Sequence, residues 1–147
     1  METIDEARAV LRANIDKGMK CPCCTQMVKM YRRPMSAGMA VALIAIHRAA
    51  PAGAWVDVKT IDVRGGDYAK LRYWGLLEMY PQTPDQATRH AGLWRVTDKG
   101  RLFVTGALSV PKYARVFDER PKGLVGSPVD IKQALGTKFN YQELMGC

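Results

Sequence analysis

The sequence lacks a long apolar segment. Its longest apolar run, residues 37–46, is much shorter than the ~20 residues that a membrane-spanning helix needs. A secretory signal is also not expected, because Glu2, Asp5 and Glu6 place acids where such a signal carries bases, and no apolar region follows them. We therefore expect a cytoplasmic protein that has no membrane partner.

Residues suited to catalysis are scarce. The chain has 2 histidines, and it contains neither a Gly-x-Ser-x-Gly sequence nor a phosphate-binding loop pattern. Ser36, Ser109 and Ser127 stand where serine caps a helix or forms a turn, and Asp118-Glu119 falls in an expected turn. The sequence therefore predicts a protein that is not an enzyme and that takes no small-molecule substrate.

Acidic residues are few relative to basic ones. The 147 residues include 22 Lys and Arg against 14 Asp and Glu, which gives a formal net charge of +8 at pH 7. Such a charge favours polyanions, nucleic acid first, because binding releases condensed counterions. The hydrophobic fraction of 48% is that of an ordinary globular domain. A nucleic-acid partner is expected, and a merely basic globular protein is the alternative.

Cysteines are too few for a disulfide scaffold in a chain of this length. Three of them form the run Cys21-Pro22-Cys23-Cys24, in which Cys21 and Cys24 have the two-residue spacing of a zinc knuckle. A closed zinc site needs four ligands. The remaining candidates are Cys23, His47, His90 and Cys147. Zinc is the one cofactor that the sequence suggests, and unpaired thiols are the alternative.

The first fifty residues contain signals for two helices. Thr3 and Glu6 form a capping box, which predicts a helix over residues 4–17. Residues 19–33 are interpreted as a linker or knuckle, and Ser36 is placed to cap an apolar, central helix over residues 37–50. His47, on that helix, is expected to be partly buried and hydrogen-bonded.

Shorter elements are predicted from residue 55 onward. Residues 55–63 favour a strand that runs into a short helix, and Asp67 is placed to cap a further helix over residues 68–74 that ends at Gly75. Residues 76–79 and 93–96 form a predicted hairpin with a long tip, after which Thr97 caps a helix that stops near Gly106. A second hairpin is predicted over residues 111–125. Ser127-Pro128 should then start a short helix that ends at Gly136.

The order helix, short helix, helix and hairpin is that of a winged helix, a helix-turn-helix variant. The runs Leu71-Arg72-Tyr73-Trp74-Gly75-Leu76-Leu77-Glu78 and Gly92-Leu93-Trp94-Arg95-Val96-Thr97-Asp98-Lys99-Gly100 resemble the end of its third helix, its Gly-Leu strand and its returning strand into Thr-x-Lys-Gly. This resemblance covers residues 36–106. It implies an α+β fold with a winged helix-turn-helix core at residues 35–108, an N-terminal helix and cysteine knuckle at 1–34, and a C-terminal hairpin and short helix at 109–147.

The whole chain also resembles a group of small bacteriophage proteins. The matching residues are Cys21-Pro22-Cys23-Cys24, Lys29-Met30-Tyr31, residues 67–75 and the run Ser109-Val110-Pro111-Lys112-Tyr113. The resemblance implies a viral origin, and hence a location in the cytoplasm of the bacterial host, more than it implies an activity.

Winged helices contact DNA through the outward face of the third helix and through the tip of the wing. The resemblance therefore implies a set of DNA-binding residues on and ahead of that helix and in the wing: Arg64, Lys70, Arg72, Tyr73, Arg89 and His90. We expect duplex DNA as the partner, as for a bacteriophage regulator of transcription. The alternative is a phage accessory protein whose winged helix binds and inhibits a host or phage protein.

Overall fold

The structure is a computed structural model that describes residues 3–63, 65–81, 92–117 and 120–146. The fold is mixed α+β, with short helices and small antiparallel sheets. In chain order, the described elements are α1 (Ile4–Ala13), β1 (Met19–Lys20), β2 (Met27–Val28), β3 (Tyr31–Pro34), α2 (Ala37–Ala49), β4 (Val56–Asp57), the 3-10 helices η1 (Val58–Thr60) and η2 (Asp67–Trp74), β5 (Leu77–Met79), β6 (Leu93–Val96), α3 (Asp98–Val104), β7 (Val110–Phe117), β8 (Arg120–Val129), α4 (Ile131–Leu135) and α5 (Tyr141–Met145).

The first helix begins as predicted and ends early. The Thr3 hydroxyl accepts a hydrogen bond from the Glu6 amide, and the Glu6 carboxylate accepts one from the Thr3 amide. The expectation that the helix reaches Lys17 is wrong by about one turn, because Asn14 closes it. The Asn14 side chain donates to the carbonyl of Val10 and competes with further helical turns.

The segment interpreted as a linker or knuckle contains strands, so it is not a linker, and the cysteine knuckle stays a prediction. Strands β1 and β2 form a small hairpin around the cysteines, and β3 pairs antiparallel with β7. In that pairing Tyr31 lies opposite Val116 and Arg33 lies opposite Ala114. The N-terminal segment is therefore joined to the C-terminal hairpin by a sheet with the order β3-β7-β8.

Helix α2 is the central element, as its apolar sequence predicts. The Ser36 hydroxyl caps it by accepting from the Met39 amide, and its residues Leu43, Ile44 and Ile46 are buried. The helix contacts η2, β6, α3, α4 and α5. The hydrophobic core around α2 also includes Val110 of β7 and residues of α4. The C-terminal elements therefore pack on the same core as α2.

The second sheet has the order β4-β6-β5 and includes the predicted hairpin. Strand β4 runs directly into η1, which confirms the predicted strand followed by a short helix. Helix α3 is capped by Thr97, whose hydroxyl accepts from the Gly100 amide at 3.0 Å and donates to the Gly75 carbonyl at 2.6 Å. A Cβ atom on Gly100 would collide with the Leu76 carbonyl and approach a Val96 methyl group to 2.7 Å. Only glycine lets α3 lie this close to the sheet.

The 3-10 helix η2 lies in the chain between β4 and β5, and its start differs from the prediction. Gly66 is the N-cap and provides no side-chain hydrogen bond, whereas Asp67 forms an ion pair with Lys70 at 3.0 Å. The cap assigned to Asp67 is therefore wrong. Gly75 ends the helix as predicted, in the left-handed conformation with φ of 74°.

The predicted second hairpin is present as β7 and β8, but the helix expected at Ser127-Pro128 is not. Both residues belong to β8, an edge strand in which a proline is tolerated. Asp130 caps α4 instead, in a capping box with Gln133, and Gly136 ends that helix as predicted. Within the described ranges, no helix has both the length and the apolar character to cross a bilayer.

Candidate nucleic-acid interface

Packing on two sides fixes the orientation of η2. Because a 3-10 helix repeats every three residues, Leu71 and Trp74 share one face, and both are buried. The Trp74 indole Nε1 donates a hydrogen bond of 2.7 Å to the Pro111 carbonyl at the start of β7. The buried face of η2 is thus anchored to the core and to the C-terminal hairpin, and its other side faces β3.

A cleft of about 360 Å³ separates η2 from β3. We call it the basic cleft, and its lining residues are Tyr31, Arg33, Gly66, Ala69, Lys70, Arg72, Tyr73 and Val116. The cleft therefore brings together three of the predicted DNA-binding residues, Lys70, Arg72 and Tyr73. It adds two residues that were not predicted to bind DNA, Tyr31 and Arg33.

Cations lie over the aromatic rings of the basic cleft. The Arg72 guanidinium carbon is 5.4 Å from the centre of the Tyr73 ring, and the Arg33 carbon is 5.3 Å from that of Tyr31. The Lys29 ammonium is 5.4 Å from the same Tyr31 ring. Such contacts orient a cation without neutralising its charge, so its N–H donors can still meet an anion.

Acidic residues offset little of this charge. Lys70 pairs with Asp67, but the side chains are 37% and 72% exposed, and an exposed pair of this kind contributes at most about 1 kcal/mol. Among the residues that the structure describes, neither Arg33 nor Arg72 forms an ion pair with a carboxylate. The basic cleft is therefore positive overall.

The remaining predicted DNA-binding residues, Arg64, Arg89 and His90, lie outside the described residues. The base of the hairpin is described. There the Arg95 Nε donates to a Glu78 carboxylate at 3.0 Å, and the Arg95 guanidinium carbon lies 4.4 Å from the centre of the Trp55 ring. Trp55 packs edge-on against Tyr80, and Trp94 is buried. These tryptophans pack at the base of the hairpin.

The cysteine run forms the tip of the β1–β2 hairpin. The Cys21 amide donates to the Gln26 carbonyl at 2.7 Å, and Cys23 and Cys24 are exposed. Hydrogen bonds from the backbone of Cys24 and then Cys23 hold the pKa of the Cys21 thiol below its ordinary value. No group of three or more metal-ligating side chains is placed to hold an ion within the described ranges, and Cys147 lies outside them. A zinc site at Cys21 and Cys24 stays a prediction.

His47 is half-buried on α2, as expected, but its hydrogen bonding differs from the expectation. Its Nδ1 atom is buried and has no hydrogen-bond partner in the described part of the chain. Burial lowers the pKa of His47, and the positive charge of Arg101 lowers it further. The structure does not place His47 in a metal-ligating group with the described cysteines.

Comparison with known proteins adds no identification: no family model, curated protein or solved structure matches this chain. The contribution of β3 to the cleft could have been suspected from the basic run Tyr31-Arg32-Arg33. The run carries no apolar alternation that would mark it as a strand, and its partner β7 lies about eighty residues away in the sequence.

Proposed function

We propose that this protein binds duplex DNA through a winged-helix core in which η2 serves as the third helix and β5 and β6 form the base of the wing. The order α2, η1, η2 and then a hairpin supports this assignment. So does the place of β4, which extends the hairpin to three strands. Together with the resemblance to bacteriophage proteins, DNA binding by this core would make the protein a regulator of transcription in the host cytoplasm.

The observation that carries the proposal is the basic cleft. Arg33 from β3 and Lys70 and Arg72 from η2 converge on one opening, and most of their charge is not neutralised by carboxylates. Phosphodiester oxygens are the ligands that such cations bind in nucleic acids, and their binding is driven by counterion release.

The arrangement of the tyrosines favours backbone contacts over base stacking. Tyr31 and Tyr73 already carry cations over their rings, so at least one face of each ring is occupied. A platform for unpaired bases needs free aromatic faces. The cleft is therefore better suited to the phosphates of a duplex than to single-stranded bases, and Arg64, Arg89 and His90 complete the proposed interface.

The experiment is a titration of duplex DNA by fluorescence anisotropy at several salt concentrations between about 50 and 200 mM. Replacing both Lys70 and Arg72 with alanine should weaken binding and lower the slope of log affinity against log salt by about two, because each phosphate contact contributes about 0.9. The matched control is Arg8→Ala with Lys138→Ala, which removes the same charge outside the basic cleft. Equal affinity and slope for a folded cleft variant and the wild type would remove η2 from the interface.

A further inference from the structure

A like-charge pair lies in the β3-β7-β8 sheet, which we call the outer sheet. Arg32 of β3 lies directly opposite Arg115 of β7 in the antiparallel register. Directly opposite side chains on one sheet face are near neighbours, and two like charges there destabilise the sheet. The sheet keeps this pair although other residue types would pair more favourably.

Further cations gather around the same point. The Arg32 guanidinium carbon lies 4.6 Å from the centre of the Tyr113 ring, and the Lys112 ammonium lies 5.6 Å from it. Gly126 of β8 makes room for this ring, since a Cβ atom there would approach the Tyr113 Cδ2 atom to 2.9 Å. Arg32, Lys112, Tyr113 and Arg115 thus form one surface, which we call the second basic surface.

Only partial compensation comes from acidic residues. Arg115 pairs with Asp16 at 3.2 Å, and Asp16 is 74% exposed, so this ion pair is weak. In the described ranges, Arg32 and Lys112 form no ion pair with a carboxylate. Protection of the edge strand β3 against aggregation does not account for the arrangement. Arg33 and Pro34 already protect that edge, and protection requires no second arginine opposite Arg32.

We propose that Arg32, Lys112 and Arg115 bind phosphates of a nucleic-acid backbone, as a second contact surface beside the basic cleft. This inference rests on the proposed function for the identity of the polyanion. Successive side chains of a strand point to opposite faces, so β3 presents Arg33 toward the cleft and Arg32 toward the second basic surface. Nucleic acid that follows the edge of β3 meets cations from both faces. Bound phosphate relieves the repulsion between Arg32 and Arg115.

The contacts are of a kind that does not depend on base sequence. Lysine and arginine side chains that meet phosphates position a protein on DNA, whereas sequence is read at base edges. Replacing Arg32 and Lys112 with alanine should therefore weaken binding to specific and random duplexes by the same factor. It should also lower the salt slope by about two.

The test uses the full chain and a random duplex of about 20 base pairs, two turns of B-DNA. The variants are Arg32→Ala with Lys112→Ala, the charge-matched control Arg8→Ala with Lys138→Ala, and Asp16→Asn. The last frees Arg115 and should tighten binding about two- to fivefold, the equivalent of one exposed ion pair. A folding defect cannot produce that tighter binding, so the two variants together separate a lost contact from a lost fold.

The outcomes distinguish this inference from the proposed function. If the wild type binds the duplex and loss of Lys70 and Arg72 weakens binding, but loss of Arg32 and Lys112 changes nothing beyond the control, the second basic surface is refuted and the proposed function stands. If the wild type does not bind the duplex, the proposed function fails. Inorganic polyphosphate then tests the second basic surface without DNA: weaker binding by the Arg32 and Lys112 variant supports it, and unchanged binding overturns it.

Discussion

The two larger sheets differ in the charges of residues that lie directly opposite each other on neighbouring strands. In the β4-β6-β5 sheet, Glu78 lies directly opposite Arg95, and the two form an ion pair at 3.0 Å. In the β3-β7-β8 sheet, Arg32 lies directly opposite Arg115, and no acid of either strand stands between them. A cross-strand pair of opposite charge stabilises a sheet, and a pair of like charge destabilises it.

The difference supports the proposal that the β3 side of the molecule binds an anion, whereas the charges of the β4-β6-β5 sheet stabilise the fold. Arg95 is also fixed over Trp55, so its charge and its orientation are used within the protein. Arg32 is fixed over Tyr113, but its charge has no carboxylate partner among the described residues. A sheet that retains repulsion gains by binding an anion, and this is the physical basis for assigning nucleic acid to the β3 side of the molecule.

The largest effect on stability should come from disrupting the packing of α3 on the β4-β6-β5 sheet. Gly100→Ala introduces a methyl group against the Leu76 carbonyl and Val96, and such overpacking costs about 1–3 kcal/mol or more of the free energy of unfolding. Urea unfolding followed by tryptophan fluorescence measures it. Gly38→Ala on α2 is the control, because open space surrounds that position and alanine there should stabilise the helix by up to about 1 kcal/mol. Equal stability of the two variants would show that α3 is not packed as described.

Charge reversal in the outer sheet should have a smaller effect of the opposite sign. Arg32→Glu places a carboxylate opposite Arg115 and should raise the free energy of unfolding by about 0.2–1 kcal/mol relative to Arg32→Ala, which loses the same contact with the Tyr113 ring. The same variant should bind duplex DNA more weakly. Gain of stability with loss of binding is the signature of a surface whose charges serve a ligand.

The same charge reversal in the β4-β6-β5 sheet should have the opposite effect on stability. Arg95→Glu creates a like-charge pair with Glu78 and should lower stability by a similar amount. Unfolding curves of both variants at low and high salt measure the two effects, since screening should reduce each. If Arg32→Glu destabilised the protein as much as Arg95→Glu does, the contrast between the sheets would be lost.

The smallest effect concerns acid stability of the core. Because burial lowers the pKa of His47, folding favours the neutral imidazole, and the unfolded chain binds more protons below about pH 6.5. This contribution to stability is complete above that pH and declines as the pH falls below it. His47→Gln should reduce the difference between urea midpoints at about pH 7.5 and about pH 5. An unchanged difference would assign the acid sensitivity to other groups.

Local signals predicted much of the core region. The caps at Thr3, Ser36 and Thr97 and the helix end at Gly75 follow from backbone hydrogen bonding within a few residues, so sequence alone reveals them. The apolar α2 was predicted for the same reason, since its composition requires a central position.

The region around β3 could not be predicted in the same way. Its strand status depends on pairing with β7, a partner distant in the sequence, and its four residues are all exposed. The candidate site was predicted in part: Lys70, Arg72 and Tyr73 were named from the third helix, whereas Tyr31 and Arg33 join them only through that long-range pairing. Pro128 misled the prediction because proline suits both a helix start and an edge strand.

The most direct test of the central claim is a titration of isotopically labelled protein with duplex DNA, followed by backbone amide chemical shifts. We expect saturable shifts in β3, in residues 66–73 and in residues 112–115, with the size of the shifts reduced as salt is raised. Absence of saturable shifts in excess duplex would contradict it. So would shifts confined to the apolar pocket beside Gly38, Val41 and Phe139, on a different part of the surface.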